Sequence, residues 1–460
     1  MRKGRAPLAA AICAWVLTRL WLVPAALKLG PFHGDGGLDP SVDRVYRSWF
    51  AVLSSGAFPA HDVSWQYPPG AALPLLSPAL APRLDYGHAF IIGAALCDAI
   101  VFALLLRTAV RRERGTPALT GSRCRAFTGP LAGPWMWTAG LALLSTVPWN
   151  RFDLHVTAAA MAALAVAAMA SRPAGRAWAH RAFGALTALA ALIKVWPVLL
   201  LLGTERGRRT RAGWTAAVVG AAVLTAASAL AMPHAFSFLT AQSARGIQIE
   251  SVGSLPFHLA RHFGWHGTWA AKDGSHEFVG PYVPQVTVAM QALTVLSLAW
   301  LLWWRHRRTV ADAPWVLPDA ALTATLLFVV TSRVISPQYL IWLVGLAAVC
   351  LLRPGTTQRP VARLLLAACL CTTLDFPLLY RELRDDAGWL AIANLSVRNL
   401  LLVAAAGLSA VRLWRATAGD GHRNDGPLQD GRSGGPLQDG HRSDRLRPIH
   451  PTPPPSGVKV

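Results

Sequence analysis

Apolar stretches recur from residue 6 to residue 411, most of them close to the length that crosses a hydrocarbon layer. A crossing helix needs about 20 mostly apolar residues, and only a helix or a closed barrel satisfies its own backbone where water is absent. The stretches 6–27, 86–106, 131–148, 154–171, 212–232, 282–304, 315–332, 337–352, 361–379 and 389–411 are expected to span. Apolar runs of this length are not strands of a soluble sheet, so the pattern confines the chain to an all-α polytopic membrane protein of about ten spans. Composition agrees: 53% of the 460 residues are hydrophobic and only 15% are charged, with a mean hydropathy of +0.37. A soluble chain of this size carries more charge. Arg2, Lys3 and Arg5 precede the first stretch and Arg19 interrupts it, so it reads as a first span with a cytoplasmic N-terminus rather than a cleaved leader.

The net charge of +21 is gathered in connectors at 107–125, 172–181, 205–211, 305–308, 353–363 and from 412 onward. The positive-inside rule places these in the cytoplasm. No folded soluble domain gathers the charge, so no nucleic-acid partner is expected. Residues 182–203 have basic flanks on both sides and Lys194-Val195-Trp196-Pro197 in the middle. A single crossing cannot leave both flanks on one side, and a charge and a proline fit poorly in a straight lipid-facing helix. This segment is therefore read as a short helical hairpin that turns near Lys194, with Lys194 facing a cavity reached from outside. The outer face then receives 28–85, 149–153, 233–281, 333–336 and 380–388, and both termini are cytoplasmic. Cys13, Cys97, Cys350, Cys369 and Cys371 lie in apolar segments and Cys124 in a basic connector, so no structural disulfide is expected. Residues 416–460 repeat GPLQDG and are rich in Gly, Pro, Asp, Arg and Ser, which reads as a disordered cytoplasmic tail.

Polar groups from distant parts of the chain converge on the outer side. The first outer loop, 28–85, brings Asp35 and then, within DPSVDRVYRSWFAVLSSGAFPAHDVSWQYPP, Asp39, Asp43 and the Tyr67-Pro68-Pro69 turn. Arg151 and Asp153 sit on a tight turn, Lys194 at the hairpin tip, and Arg245, Gln248 and Glu250 within RGIQIES. Arg333, Gln338 and Tyr339 lie at the end of another span. A shared site explains this gathering; a charge at hairpin depth alone costs roughly 2.5–3.5 kcal/mol. Asp43 could equally cap a helix, and Arg151 with Asp153 could form a local pair. His258, His262 and His266 fall four apart, on one face if the segment is helical. Without a carboxylate in an HExxH pattern this reads as an interfacial helix, and no metal or cofactor is expected. Asp98 and Arg398, within spans, are expected to be paired inside the bundle.

The strings VDRVYRSWFAVLSSGAFPAHDVSWQYPPGAAL, NRFDLH, IKVWP, RGIQIES and SPQYLIW, in this order, resemble the GT-C superfamily of integral membrane glycosyltransferases. Within it the chain is similar to the family 87 polyprenyl-phosphate-mannose-dependent mannosyltransferases. The resemblance covers most of residues 6–411. It implies a GT-C type bundle with a structured first outer loop, a transmembrane glycosyltransferase domain over 1–415, and a site facing the outside of a bacterial plasma membrane. It also implies transfer of a hexose, mannose in the first instance, from a polyprenyl-phosphate sugar donor to a glycolipid or glycan acceptor of the cell envelope.

The superfamily's catalytic acid lies in the first outer loop and maps onto Asp43, three residues before Tyr46, with Asp39 as the alternative. A carboxylate there would take the acceptor's proton as general base. Lys194, Arg245 and Arg333 would bind the donor phosphate, an anionic leaving group that needs cations more than an acid. Tyr67, Arg151, Asp153, Gln248, Glu250, Gln338 and Tyr339 would contact substrate. A pentosyl (arabinosyl) transferase of the same superfamily, a lipid-linked saccharide transporter or flippase, and an inactive relative are the competing readings. A transporter should show paired broken helices in two inverted halves, and 182–203 has no counterpart in the second half.

Overall fold

A computed structural model of the protein describes residues 5–29, 38–59, 62, 65–115, 129–170, 177–232, 235–239, 245–272, 274–310 and 313–418. Asp35, Cys124 and the tail beyond residue 418, with its repeat, lie outside the described residues. The longer helices are α1 (Arg5–Ala26), α2 (Arg47–Ser54), α3 (Tyr86–Gly115), α4 (Ala132–Leu143), α5 (Asp153–Ala170) and α6 (Ala177–Ile193). They continue with α7 (Arg208–Ala231), α8 (Val283–Arg307), α9 (Val316–Thr331), α10 (Tyr339–Leu351), α11 (Arg359–Thr373) and α12 (Trp389–Thr417). The fold is that of an all-α polytopic membrane protein.

Among the described residues, α1, α3, α7, α8, α11 and α12 are long and apolar enough to cross a membrane. The other four expected crossings form shorter helices: α4, α5, α9 and α10 have 12, 18, 16 and 13 residues. Local breaks trim three of them. Ser145 with φ of 48° and Pro148 follow α4, Ser332 turns extended after α9, and Pro337 precedes α10. These shorter helices also lie further from lipid. Every residue of α10 from Leu340 to Leu351 is buried, as expected for a helix apolar on all faces.

The two charges expected to be paired inside the bundle, Asp98 and Arg398, both have partners. Arg19 donates to Asp98 at 2.8 and 2.9 Å, and the indole of Trp137 adds a bond of 2.8 Å to the same carboxylate. Arg398 instead faces Asp375 at 3.1 Å. Removing one partner of such a pair would strand a buried charge.

Basic residues mark one end of the bundle. There Arg305 and Arg308, at the foot of α8, meet residues 202–205, while Gly203 lies against Leu317 near the start of α9. The foot of α12 joins them through Trp304 Nε1, which donates to Thr417 Oγ1 at 2.8 Å. Helix α9 climbs from this end and α10 returns to it.

The segment read as a hairpin makes such an excursion. Helix α6 stops at Ile193, the chain bends at Lys194–Val195, and Trp196–Gly203 returns as a 3₁₀ helix. At about 2 Å per residue this return covers roughly 16 Å. Helices α6 and α7 run parallel: Gly213 approaches His180 and Gly184, and Gly220 approaches Ala188. Two consecutive helices can be parallel only if the chain between them doubles back. A side chain at Gly184 would sit 2.0 Å from the Gly213 carbonyl oxygen, so this contact needs glycine. Arg305 and Arg308 tie down the return by donating to the carbonyls of Leu202, Gly203 and Thr204, the acceptors that a helix C-terminus leaves open.

Loops cover the opposite end. In the first, a π-helical turn at Ser41–Tyr46 leads into α2. Val42, Tyr46, Trp49 and Leu53 form its buried stripe. Gly70 touches the backbone of Leu192, docking the Pro-Pro turn on the tip of the hairpin. The second carries a small antiparallel sheet, β1 (Ile247–Gln248), β2 (Thr268–Lys272) and β3 (Ser275–Val279), in the order β1-β3-β2. The sequence reading missed this sheet. The histidine segment departs from its expectation: the helix covers Leu255–Ala260, a 3₁₀ turn ends at Phe263, and left-handed Gly264 stops it before His266. His258 is buried against the Ile249 carbonyl at 2.7 Å, and His262 stacks on Trp389 at 4.0 Å, so these residues serve packing.

Candidate active site

A cavity of about 570 Å³ lies where both loops, the hairpin tip and the start of α10 meet. Tyr67, Arg151, Lys194, Arg245 and Gln248 line it, as do Glu250, Arg333, Gln338 and Tyr339. The convergence expected from the sequence is therefore present for nine of the proposed residues. Asp39, Asp43 and Asp153 are not on the wall, and their placements differ.

Asp153 begins α5 and stands directly behind the wall. Its Oδ1 accepts from Lys194 Nζ at 2.6 Å and from Trp342 Nε1 at 2.7 Å. Lys194 Nζ lies 5.0–5.4 Å from the ring centres of Tyr67, Phe152, Tyr339 and Trp342. The aromatic faces and one carboxylate thus hold an ammonium that neither could hold as well alone. Tyr339 stacks on Trp342 at 4.1 Å, and Trp342 on Trp196 at 5.4 Å, which carries the aromatic wall back to the hairpin.

Asp39 is 4% exposed and Asp43 is not, and this difference sorts the two candidate bases. The Asp39 Oδ1 accepts from the Ser41 amide and from Arg151 Nη1, both at 2.9 Å. Ser41 and Arg151 are wall residues, so Asp39 is one layer behind the cavity. Burial alone would raise its pKa, but the Arg151 charge and the Ser41 bond outweigh it and hold Asp39 below the usual carboxylate range. Asp43 follows Val42 and so projects from the next face of the turn. Its side chain is 40% exposed and pairs with Arg47 at 3.1 Å, and Arg47 also holds Asp85 at 2.8 Å.

On the second loop, Arg245 Nε reaches Glu277 at 3.1 Å and its Nη2 reaches Ser275 Oγ. Arg333 Nη1 donates to the Arg245 carbonyl at 2.5 Å, placing the two guanidinium groups as neighbours. Burial and the like charge of Arg245 depress the Arg333 pKa, with Glu277 opposing. Gln248 braces this corner, donating to Glu250 Oε2 and accepting from the Ile335 amide, both at 2.9 Å. Burial and the Asp375 carboxylate push Glu250 upward, against Arg398 and Arg151. His276 and Tyr380, also on the wall and joined by a 2.8 Å hydrogen bond, were not anticipated. The alternation in Ser-His-Glu-Phe-Val, with Glu277 and His276 on opposite faces of a strand, was the available signal.

A polytopic helical protein with a cavity at its loop-covered end, lined by cations and aromatic faces, has the makings of a membrane enzyme or carrier whose ligand carries negative charge or polar groups. The chain belongs to glycosyltransferase family 87, whose model matches residues 65–337, more than half of the sequence. It is therefore a membrane glycosyltransferase. No curated protein and no solved structure matches it. The matched region holds Lys194, Arg245, Arg333 and the Tyr67 turn, whereas Asp39 and Asp43 precede it, so the choice between these two rests on geometry.

Proposed function

We propose that this protein moves a hexose, mannose in our reading, from a polyprenyl-phosphate donor to a glycolipid or polysaccharide acceptor. The observation that carries the reading is the Arg245–Arg333 corner. Two guanidinium groups face one cavity, with Arg245 held by Glu277, which sets two cations where a phosphate could bind. Lys194 supports them: an ammonium has three donors, and its described hydrogen bond to Asp153 uses one. Arginine and lysine together can hold a lipid phosphate as it leaves, so no acid is needed on that side.

Asp39, one layer behind the Ser41–Arg151 wall, is our candidate for the base, reached by the acceptor once those wall residues give way. Both of its described hydrogen bonds fall on Oδ1, which leaves Oδ2 to take a proton from the acceptor hydroxyl, and its lowered pKa keeps it ionised at neutral pH. Asp43, which the resemblance favours, pairs with Arg47 at a more exposed position, so we keep it as the alternative base. With a single base and attack opposite the departing phosphate, the sugar carbon inverts. Tyr67, Gln248, Glu250, Gln338 and Tyr339 surround the sugar, while Arg151 and Asp153 position Asp39 and Lys194. The catalytic unit in this reading is residues 1–415. The basic end of the bundle faces the cytoplasm under the positive-inside rule, so the cavity opens on the outer face of a bacterial plasma membrane.

The test is transfer in purified membranes from a radiolabelled polyprenyl-phosphate mannose, run beside a nucleotide-linked mannose. Label entering lipid or polysaccharide from the first and not the second is expected. Transfer from the nucleotide sugar alone would overturn the reading.

A further inference from the structure

One carboxyl on the wall keeps a buried oxygen without a hydrogen-bond partner among the described residues. Glu250 is 2% exposed, its Oε1 has no hydrogen-bond partner among the described residues, and Arg398 Nη1 lies 3.8 Å from its carboxylate. Its other oxygen is fixed by Gln248 Nε2 at 2.9 Å. Behind it, Asp375 is fully buried and bonds Arg398 Nη1 at 3.1 Å through Oδ2, while its Oδ1 is likewise unbonded. Two buried carboxyls thus share one arginine, and each keeps an oxygen without a partner. A buried acceptor left unbonded is costly, and a cavity is where a ligand can relieve that cost.

The rest of this corner is rigid. Arg398 Nη2 also donates to the Glu250 carbonyl, and Asn399 Nδ2 donates to the Ser251 carbonyl at 3.1 Å. Helix α12 therefore holds residues 250–251 by their backbone.

We propose that Glu250 is the specificity-determining residue of the cavity: its buried, unbonded oxygen takes one hydroxyl of the transferred sugar, and Asp375 sets its hydrogen-bonding state through their common arginine. This rests on the donor reading above. Sugar hydroxyls both donate and accept, so they suit a carboxyl in either protonation state. Burial and the facing Asp375 carboxylate favour a proton on Glu250, and Arg398 and Arg151 oppose it; the Tyr380 phenol is the other titratable group near it.

The experiment uses full-length protein in membranes with polyprenyl-phosphate mannose and its four monodeoxy donors. Wild type is expected to discriminate against one deoxy donor by roughly tenfold or more in kcat/KM, the loss typical of a hydrogen bond to a charged or buried group. In Glu250→Gln that ratio should fall to within about twofold, with the change in KM and not in kcat, while the other three ratios stay. Asp375→Asn should shift the same ratio and no other. Unchanged ratios in folded Glu250→Gln would overturn the proposal. If wild type uses none of these donors, the donor reading fails, and the site is then judged by binding. Methyl mannoside should perturb the protonated-carboxyl infrared band of wild type and not of Glu250→Gln; no perturbation in wild type would sink the site as well.

Discussion

Lys194 Nζ lies 2.6 Å from Asp153 Oδ1, joining the tip of the hairpin to the first turn of α5. The contact spans 41 residues of chain and closes the cavity floor. Side-chain exposures of 10% and 1% leave little solvent to screen it.

Breaking this pair from one side should cost more than removing it. Lys194→Met or Asp153→Asn alone strands a charge and should destabilise by about 3–5 kcal/mol, whereas the double variant should recover much of that. Thermal unfolding in detergent would measure the coupling. Additive losses would mean that the pair is not energetically joined.

The two acids of the first loop should separate cleanly in activity. Asp39→Asn should lower transfer by roughly 10²–10⁴-fold, the usual contribution of a general base, while Asp43→Asn should stay within a few-fold of wild type. Initial rates in membranes, corrected for protein amount, decide this. Full activity in Asp39→Asn with loss in Asp43→Asn would reverse the assignment.

That distinction shows how far the sequence could be read. The hairpin was legible because charge on both flanks constrains topology before any packing is known. The gathering of Arg151, Lys194, Arg245 and Arg333 followed from it. The orientation of Asp43 was also written locally, in the buried stripe Val42, Tyr46, Trp49 and Leu53 and in an Asp-to-Arg spacing of four, but the resemblance drew attention elsewhere. The Glu250–Arg398–Asp375 corner was not legible. Glu250 is more than a hundred residues from Asp375 and Arg398, and only packing of α12 against the second loop reveals which cation serves which carboxylate.

Arg245→Ala and Arg333→Ala should each weaken donor use more than acceptor use. A lost charge-assisted hydrogen bond corresponds to roughly ten- to hundredfold in kcat/KM for the lipid donor. Titrating donor and acceptor separately gives the comparison. Equal effects on both would place the arginines outside the phosphate site.

Val195 is 53% exposed and lines the cavity beside Lys194. In a cysteine-free background, Val195→Cys should react in intact cells with a membrane-impermeant maleimide. Labelling only after the cytoplasmic side is opened would be fatal to the outward-facing hairpin.

Acid should loosen the second loop through His258. Burial, against a supporting bond to the Ile249 carbonyl, lowers its pKa from 6.5 to about 4, so the unfolded chain binds its proton first. The stability it contributes is complete above pH 6.5 and falls as pH drops toward 4. Melting temperatures across this window should decline less in His258→Asn than in wild type. Parallel curves would assign the acid sensitivity to other groups.

The 3₁₀ return at Trp196–Gly203 also governs how the protein is made. During insertion it changes the parity of the chain, because it brings α7 back to the side from which α6 started. A ribosome that delivered the same helices without those eight residues would send the RGIQIES loop to the wrong compartment. Its arginines would then never meet Asp39. Assembly of the cavity thus depends on a short segment that contributes little of its wall, and insertion fidelity at this one turn decides whether the two halves of the enzyme share a compartment at all.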